Sequence, residues 1–132
     1  MVDLSFIEIS EKIQNLSLPD NFDLVVGIAT GGIVPASILA YKLKLDMKII
    51  RINYRDEQNN PRYEQPVLLT AFPEEIKNKR ILLVDDVSVS GKTLNTAKAL
   101  LKDNDITTFA LKGKADYVLF TDIKTCVNWP WK

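Results

Sequence analysis

Residues 81–94, with the sequence ILLVDDVSVSGKTL, decide the fold of this chain. The four leading residues are apolar, which is typical of a parallel strand that helices cover on both faces. Two adjacent carboxylates and a short polar loop follow, and the pattern then predicts a helix from Thr93 to Leu101. Ligands of doubly wound α/β sheets bind at the carboxyl ends of such strands. We therefore expect a ligand site at Asp85 and Asp86 and on the loop that follows them.

The loop after the two acids has the composition of a phosphate site. Ser88, Ser90 and Thr93 offer hydroxyl donors, and Gly91 allows the backbone to approach a phosphate closely. The start of the following helix adds unpaired backbone N–H groups and the positive end of its dipole. Together these features favour a bound phosphate group.

The carboxylates of Asp85 and Asp86 suit a different part of the ligand, because they repel phosphate. They can bind ribose hydroxyls, or a Mg²⁺ ion held between those hydroxyls and a pyrophosphate. The chain has no histidine and one cysteine, Cys126, which excludes His-dependent nucleophilic catalysis and the usual zinc sites. The predicted ligand is a sugar with a 5′-phosphate, bound together with magnesium.

Two other motifs share part of this pattern, and a simpler explanation needs no ligand. A Walker A loop requires a glycine five residues before Gly91, where Asp86 stands. Signalling domains that receive a phosphate add another strand-end acid, which this sequence does not offer. The simplest alternative is a helix N-terminus beside solvated acids.

Strands and helices alternate over the rest of the chain, which predicts an α/β fold with a doubly wound, mostly parallel sheet. Ser5 and Glu8 form a capping-box pattern before the first helix. The polar stretch 53–66 has no periodicity, and we expect it to be a long loop that acts as a lid or is disordered. The predicted helices are 6–16, 33–43 and 93–101, and the predicted strands are 23–29, 47–52, 67–70, 80–84, 106–111 and 117–120.

The bulk properties predict a single cytoplasmic domain, residues 1–132. Seventeen basic residues offset seventeen acidic ones, and no net field attracts nucleic acid or an anionic membrane. No signal-peptide pattern opens the sequence, and no apolar run approaches the roughly 20 residues of a membrane helix. We therefore expect neither nucleic-acid nor membrane partners.

Several motifs resemble those of the type I phosphoribosyltransferase family. Residues 84–93 resemble the family's signature for phosphoribosyl pyrophosphate (PRPP), and residues 26–36 resemble its pyrophosphate loop. Asn53 and Tyr54 stand where the family's catalytic lid begins. The tail 116–131 is similar to that of the xanthine–guanine branch, which ends in a Pro-Trp pair. The resemblance covers the chain from about residue 20 onward, and it implies the type I fold with a short C-terminal hood segment.

The resemblance implies a role for each matching position. Asp85 and Asp86 bind the ribose hydroxyls, Asp86 is also the metal ligand for Mg²⁺, and Tyr54 of the lid joins them as a catalytic residue. The implied PRPP-binding residues are Thr30, Gly31, Asp85, Asp86, Val87, Ser88, Val89, Ser90, Gly91, Lys92 and Thr93. The implied base-binding residues are Lys112, Cys126 and Val127.

The chain departs from the family's purine enzymes at three positions. Val89 replaces the usual aspartate that handles the proton on N7, and Cys126 replaces the usual aromatic residue that stacks on the base. Thr30 replaces the common Arg or Lys of the pyrophosphate loop. The PRPP signature is intact, and the departures bear on the choice of base.

The implied reaction transfers the phosphoribosyl group from PRPP to a nucleobase, foremost a 6-oxopurine such as guanine, xanthine or hypoxanthine, and releases pyrophosphate. The alternatives are a PRPP-binding regulatory or catalytically inactive domain, and a phosphoribosyltransferase for a different base. We expect a Mg-dependent purine-salvage enzyme that forms a homodimer or homotetramer, with PRPP and a nucleobase as its small-molecule partners.

Overall fold

The computed structural model of the chain describes residues 1–53, 67–68 and 76–132. The helices are α1 (Phe6–Asn15), α2 (Ile33–Leu43) and α3 (Lys92–Leu100). The strands are β1 (Val2–Asp3), β2 (Leu24–Ala29), β3 (Met47–Asn53), β4 (Val67–Leu68), β5 (Arg80–Ser88), β6 (Asp105–Gly113), β7 (Tyr117–Val118) and β8 (Val127–Asn128). No helix within these ranges has the length and apolar character that crossing a membrane requires.

The main sheet has the strand order β4-β3-β2-β5-β6-β7, and all its pairs are parallel except β3 with β4. β2 and β5 lie side by side in the middle. The chain leaves β2 through α2 toward β3, and it leaves β5 through α3 toward β6 on the other side. This reversal confirms the doubly wound α/β fold, and it opens a crevice between the carboxyl ends of β2 and β5.

Two apolar clusters cover the two faces of the sheet. Leu82 and Val84 of β5 belong to the cluster that contains α1, α2 and the buried Trp129. Ile81 and Leu83 belong to the opposite cluster, which contains the buried face of α3. Because successive side chains of a strand point to opposite faces, a strand covered on both sides must be apolar throughout, as the sequence of β5 indicated.

Local signals predicted the helix boundaries well. The Ser5 hydroxyl accepts a hydrogen bond from the Glu8 N–H at 3.0 Å, and the Glu8 carboxylate accepts one from the Ser5 N–H at 3.2 Å. This reciprocal capping box confirms the predicted start of α1. The bounds of α2 are also those predicted.

Strand β5 extends beyond its predicted end at Val84. Its pairing with β6 continues to the partners Val87 and Lys112, and then to Ser88 and Gly113. The prediction of a loop from Asp85 onward was therefore wrong, because ladder hydrogen bonds hold both carboxylates within a strand. The same pairing places Lys112 inside β6, and not in the segment after it.

The C-terminal segment, residues 114–132, is here called the hood, and it packs against the core through the buried Trp129. Its strand β8 pairs in parallel with β1 at the other end of the sequence, in a separate two-stranded sheet. Neither two-residue strand was predicted, because two residues carry no periodicity. β7 is shorter than the predicted strand 117–120. Most of the predicted lid, including Tyr54, lies outside the described residues.

Candidate functional site

The loop after β2 meets the carboxyl end of β5 at the crevice between the two strands. A Cβ atom added to Gly31 would overlap the carboxylate of Asp86. Glycine at position 31 thus allows the loop to approach β5 this closely. The peptide bond between Ala29 and Thr30, at the end of β2, is cis.

The two adjacent acids are buried, and each is 8% exposed. The Asp86 Oδ1 accepts a hydrogen bond from the Val87 N–H at 2.7 Å, and the Asp85 Oδ1 accepts one from the Asp86 N–H at 2.8 Å. The continuation of β5 buries both acids, whereas the alternative of solvated acids beside a helix N-terminus would leave them exposed.

The environment of the pair shifts the pKa of Asp85. Burial raises the pKa of the Asp85 carboxyl from its ordinary value of 3.8 to about 8, and the charge of Asp86 contributes to the rise. The Lys132 ammonium acts in the opposite direction. Asp85 therefore holds its proton to a higher pH in the free protein than an exposed aspartate does.

The segment from Val87 to Thr93 lines a cavity of about 170 Å³. Gly91, with φ +83°, is the N-cap of α3, and such a left-handed conformation is one that glycine adopts readily. The Ser88 Oγ is buried and has no hydrogen-bond partner among the described residues. An unsatisfied buried hydroxyl beside a helix N-terminus favours a ligand that accepts hydrogen bonds, such as a phosphate.

Ser90 and Val89 occupy the turn between β5 and α3. The Ser90 hydroxyl accepts a hydrogen bond from the Lys92 N–H at 3.3 Å, which shapes the turn at the mouth of the cavity. Val89 is 78% exposed, an unusual position for an apolar side chain.

Arg51 is a cation of the crevice that the sequence did not identify. It pairs with Ala29 in the register of β3 and β2, and its guanidinium reaches the Thr30 hydroxyl at 3.5 Å. Position 30 lacks the usual basic residue, and Arg51 brings a positive charge to the same loop from the neighbouring strand. A basic residue near the carboxyl end of a predicted strand was the available signal.

Lys132 is a second cation that the sequence did not identify. Its Nζ lies 3.2 Å from the Asp86 Oδ2. The lysine side chain is 57% exposed, whereas that of Asp86 is 11% exposed. No local pattern could have indicated this contact, because 46 positions of sequence separate the partners.

The residues predicted to contact the base lie in two places. Lys112 is half-buried in β6, where it pairs with Val87 near the carboxyl ends of the strands, as the two acids do in β5. Cys126 is exposed, and its carbonyl accepts a hydrogen bond from the Val2 N–H at 3.0 Å. Val127 is half-buried at the start of β8. Their roles toward a base stay predictions.

Asp116 of the hood has a structural partner. Its carboxylate accepts a hydrogen bond from the Thr108 N–H at 2.9 Å, and its own N–H donates to the Thr108 hydroxyl at 2.9 Å. These reciprocal bonds fix the start of the hood to β6.

The donor set tests whether a metal fits this site. Within the described ranges, no three or more His, Cys, Asp or Glu side chains converge as metal ligands. Two adjacent carboxylates do suit Mg²⁺, which is commonly held by one or two protein carboxylates together with phosphate oxygens of a substrate. The residues therefore fit a magnesium ion that binds together with its ligand.

Comparison with known proteins places this chain within one family. The phosphoribosyl transferase domain family matches residues 4–126. A purine phosphoribosyltransferase from Pyrococcus horikoshii has a similar structure, with a TM-score of 0.76 and 26% identity over 99% of this chain and 93% of that chain.

Two curated relatives match shorter stretches. The transcriptional regulator GfcR of Methanocella arvoryzae is 28% identical over 70% of this chain and 45% of its own length. The orotate phosphoribosyltransferase of Saccharolobus solfataricus is 37% identical over 57% of this chain and 34% of its own length. The chain thus spans less than half the length of either relative. Because the family pattern covers nearly all of its residues, the chain belongs to the phosphoribosyl transferase domain family, as its resemblance to the type I phosphoribosyltransferases predicted.

Proposed function

We propose that this protein transfers the phosphoribosyl group of PRPP to a nitrogen of a nucleobase and releases pyrophosphate. The observation that carries the proposal is the buried Ser88 hydroxyl, which has no hydrogen-bond partner in the part of the chain that the structure describes and belongs to a residue lining a small cavity at the N-terminus of α3. Two buried carboxylates stand directly before it in β5. A site for a phosphate and a site for ribose hydroxyls are thereby neighbours, as a sugar 5′-phosphate requires.

Each part of PRPP has a counterpart among the described residues. The 5′-phosphate would accept hydrogen bonds from Ser88 and from the backbone at the start of α3. The ribose hydroxyls would donate to Asp85 and Asp86. The pyrophosphate would lie against the loop at Thr30 and Gly31, where the Arg51 guanidinium supplies positive charge.

Magnesium fits this scheme as a cofactor that binds with the substrate. Asp86 would hold it together with oxygens of PRPP, and the ion would offset negative charge on the departing pyrophosphate. The protein's own contribution to catalysis is to fix the sugar and both phosphate groups and to supply charge at their positions.

We propose a 6-oxopurine as the base. The similarity to the purine phosphoribosyltransferase of P. horikoshii supports this choice, because it extends over 99% of the chain. Lys112 lies near the carboxyl end of β6, where its ammonium could contact an exocyclic oxygen of the base. Orotate phosphoribosyltransferases are also among the relatives, and orotate is therefore the main alternative base.

A PRPP-binding regulator is the second candidate function. Val89 favours it, since this exposed position in the turn carries no group that can move a proton. The similarity to a transcriptional regulator supports it as well. Such a protein would bind PRPP at the same site without consuming it.

A panel of nucleobases separates these functions. The full chain would be incubated with PRPP, Mg²⁺ and one base at a time, and pyrophosphate would be measured. Base-dependent release with guanine, xanthine or hypoxanthine supports the purine enzyme, and release only with orotate supports the alternative enzyme. PRPP binding in calorimetry without release by any base supports the regulator, and the absence of both contradicts a PRPP site.

A further inference from the structure

The contact between Lys132 and Asp86 has no role in the scheme above. Asp86 has two oxygens, and Oδ1 already accepts a hydrogen bond from the Val87 N–H at 2.7 Å. Lys132 contacts the other oxygen, Oδ2, at 3.2 Å. The lysine therefore lies on the oxygen of Asp86 that the backbone leaves free.

The backbone of Lys132 is anchored, although its side chain is exposed. The Lys132 N–H donates to the Trp129 carbonyl at 3.2 Å, which closes a turn. Trp129 is 2% exposed, and Trp131 stacks on it with ring centroids 5.5 Å apart and planes 8° from parallel. A lysine on such an anchored turn loses less conformational freedom when it binds a ligand than one on a free tail.

The contact with Asp86 places Lys132 close to the proposed position of the pyrophosphate. The Asp86 carboxylate fills the space next to Gly31, in the loop proposed to hold pyrophosphate. An ammonium on Asp86 therefore lies at the boundary between the ribose and pyrophosphate positions. Its exposed side chain can turn from the carboxylate to a phosphate oxygen without disturbing the core.

We propose that Lys132 is a further substrate-binding residue, which rests on Asp86 in the free protein and contacts phosphate oxygens of PRPP in the complex. This inference rests on the proposed function of the same site. The positive charge of Lys132 should affect the binding of two ligands in opposite directions. A free divalent cation meets a like charge at Asp86, whereas the polyanionic PRPP meets an opposite one.

Removal of the charge should therefore change the two affinities in opposite directions. Lys132→Gln should weaken PRPP binding at saturating Mg²⁺ by about tenfold to a hundredfold, as expected for a charge-assisted hydrogen bond. The same variant should bind Mn²⁺ alone about threefold to tenfold more tightly, because a repelling charge is gone. Lys132→Arg keeps the charge and should stay within about threefold of the wild type for both ligands.

The experiment uses calorimetry for PRPP and electron paramagnetic resonance of free Mn²⁺ for the cation, on the full chain. Lys124→Gln is the matched control, because Lys124 is an exposed lysine of the same hood. It should leave both affinities unchanged. Thermal unfolding of each variant verifies that the hood remains folded.

The possible outcomes separate this inference from the proposed function. Opposite shifts in Lys132→Gln with wild-type behaviour in Lys132→Arg support it. Unchanged PRPP binding in Lys132→Gln means that the ion pair is structural, and tighter PRPP binding means that the lysine blocks the site; either result overturns the inference and leaves the proposed function standing. A wild-type protein that binds no PRPP overturns both.

Discussion

Gly31→Ala tests whether the close contact between Gly31 and the Asp86 carboxylate is needed for PRPP binding. The added Cβ would lie 2.5 Å from the Asp86 Oδ1 and closer still to Oδ2, whereas ordinary contact begins at 3.4 Å. The carboxylate must therefore retreat by about 0.9 Å or more. A retreat of this size breaks the 2.7 Å hydrogen bond from the Val87 N–H and displaces the acid proposed to bind ribose and magnesium.

The expected loss of affinity is that of one hydrogen bond between a ribose hydroxyl of PRPP and the displaced Asp86 carboxylate. A hydrogen bond to a charged group contributes about 1.5–3 kcal/mol, and PRPP affinity should accordingly fall by about tenfold to a hundredfold. Stability should change little, because the clashing atoms are the far end of the Asp86 side chain, which can rotate away from the new Cβ while β5 stays paired with β6. Calorimetric titration with PRPP and Mg²⁺ measures the first effect, and urea unfolding measures the second.

Gly27→Ala is the matched control. A Cβ there would lie 2.7 Å from the Ala36 Cβ and 3.0 Å from the Ile49 Cδ1, inside the packing of α2 on the sheet. Such overpacking typically lowers the free energy of unfolding by about 1–3 kcal/mol. The three atoms nearest to the new Cβ belong to Ala36, Ile49 and the Gly32 carbonyl, and none of them is a carboxylate atom. Gly31→Ala should thus lose binding and keep stability, and Gly27→Ala should do the reverse. Wild-type PRPP affinity in Gly31→Ala would refute the reasoning.

Three further predictions address the acids and the turn. Asp86→Ala should abolish most of the Mg-dependent PRPP affinity while the protein stays folded, and unchanged affinity in calorimetry would contradict the site. Val89→Asp should raise 6-oxopurine transferase activity if a purine is the substrate, by up to the about 10²–10⁴-fold that general acid–base assistance supplies, and a pyrophosphate assay that finds no gain would show that Val89 is no defect. Hydrogen bonds from Arg80 lower the pKa of Asp23 from 3.8 to about 2, so this pair stabilises the fold above about pH 4, and the benefit disappears as the pH falls through about 2. Asp23→Asn should therefore unfold at lower urea than the wild type at pH 6, with a gap that narrows below pH 4; a constant gap would exclude the ion pair as its cause.

The sequence by itself determined the fold class, and it predicted the position of the candidate site along the chain. The apolar run before Asp85 and the glycines and hydroxyls after it are local features, and local chemistry fixes how such a segment can pair, turn and bind an anion. The capping box at Ser5 and the bounds of α2 were likewise readable, because helix periodicity and caps depend on residues only a few positions apart.

The tertiary structure decided the features that depend on neighbours distant in sequence. Pairing with β6 kept Asp85 and Asp86 inside a strand and buried them, and that burial raised the pKa of Asp85. Arg51 and Lys132 became part of the site only because an adjacent strand and a folded hood brought their charges to it. Side-chain charge and burial at a site depend on which elements the fold brings together, and the sequence of one segment alone does not indicate its neighbours.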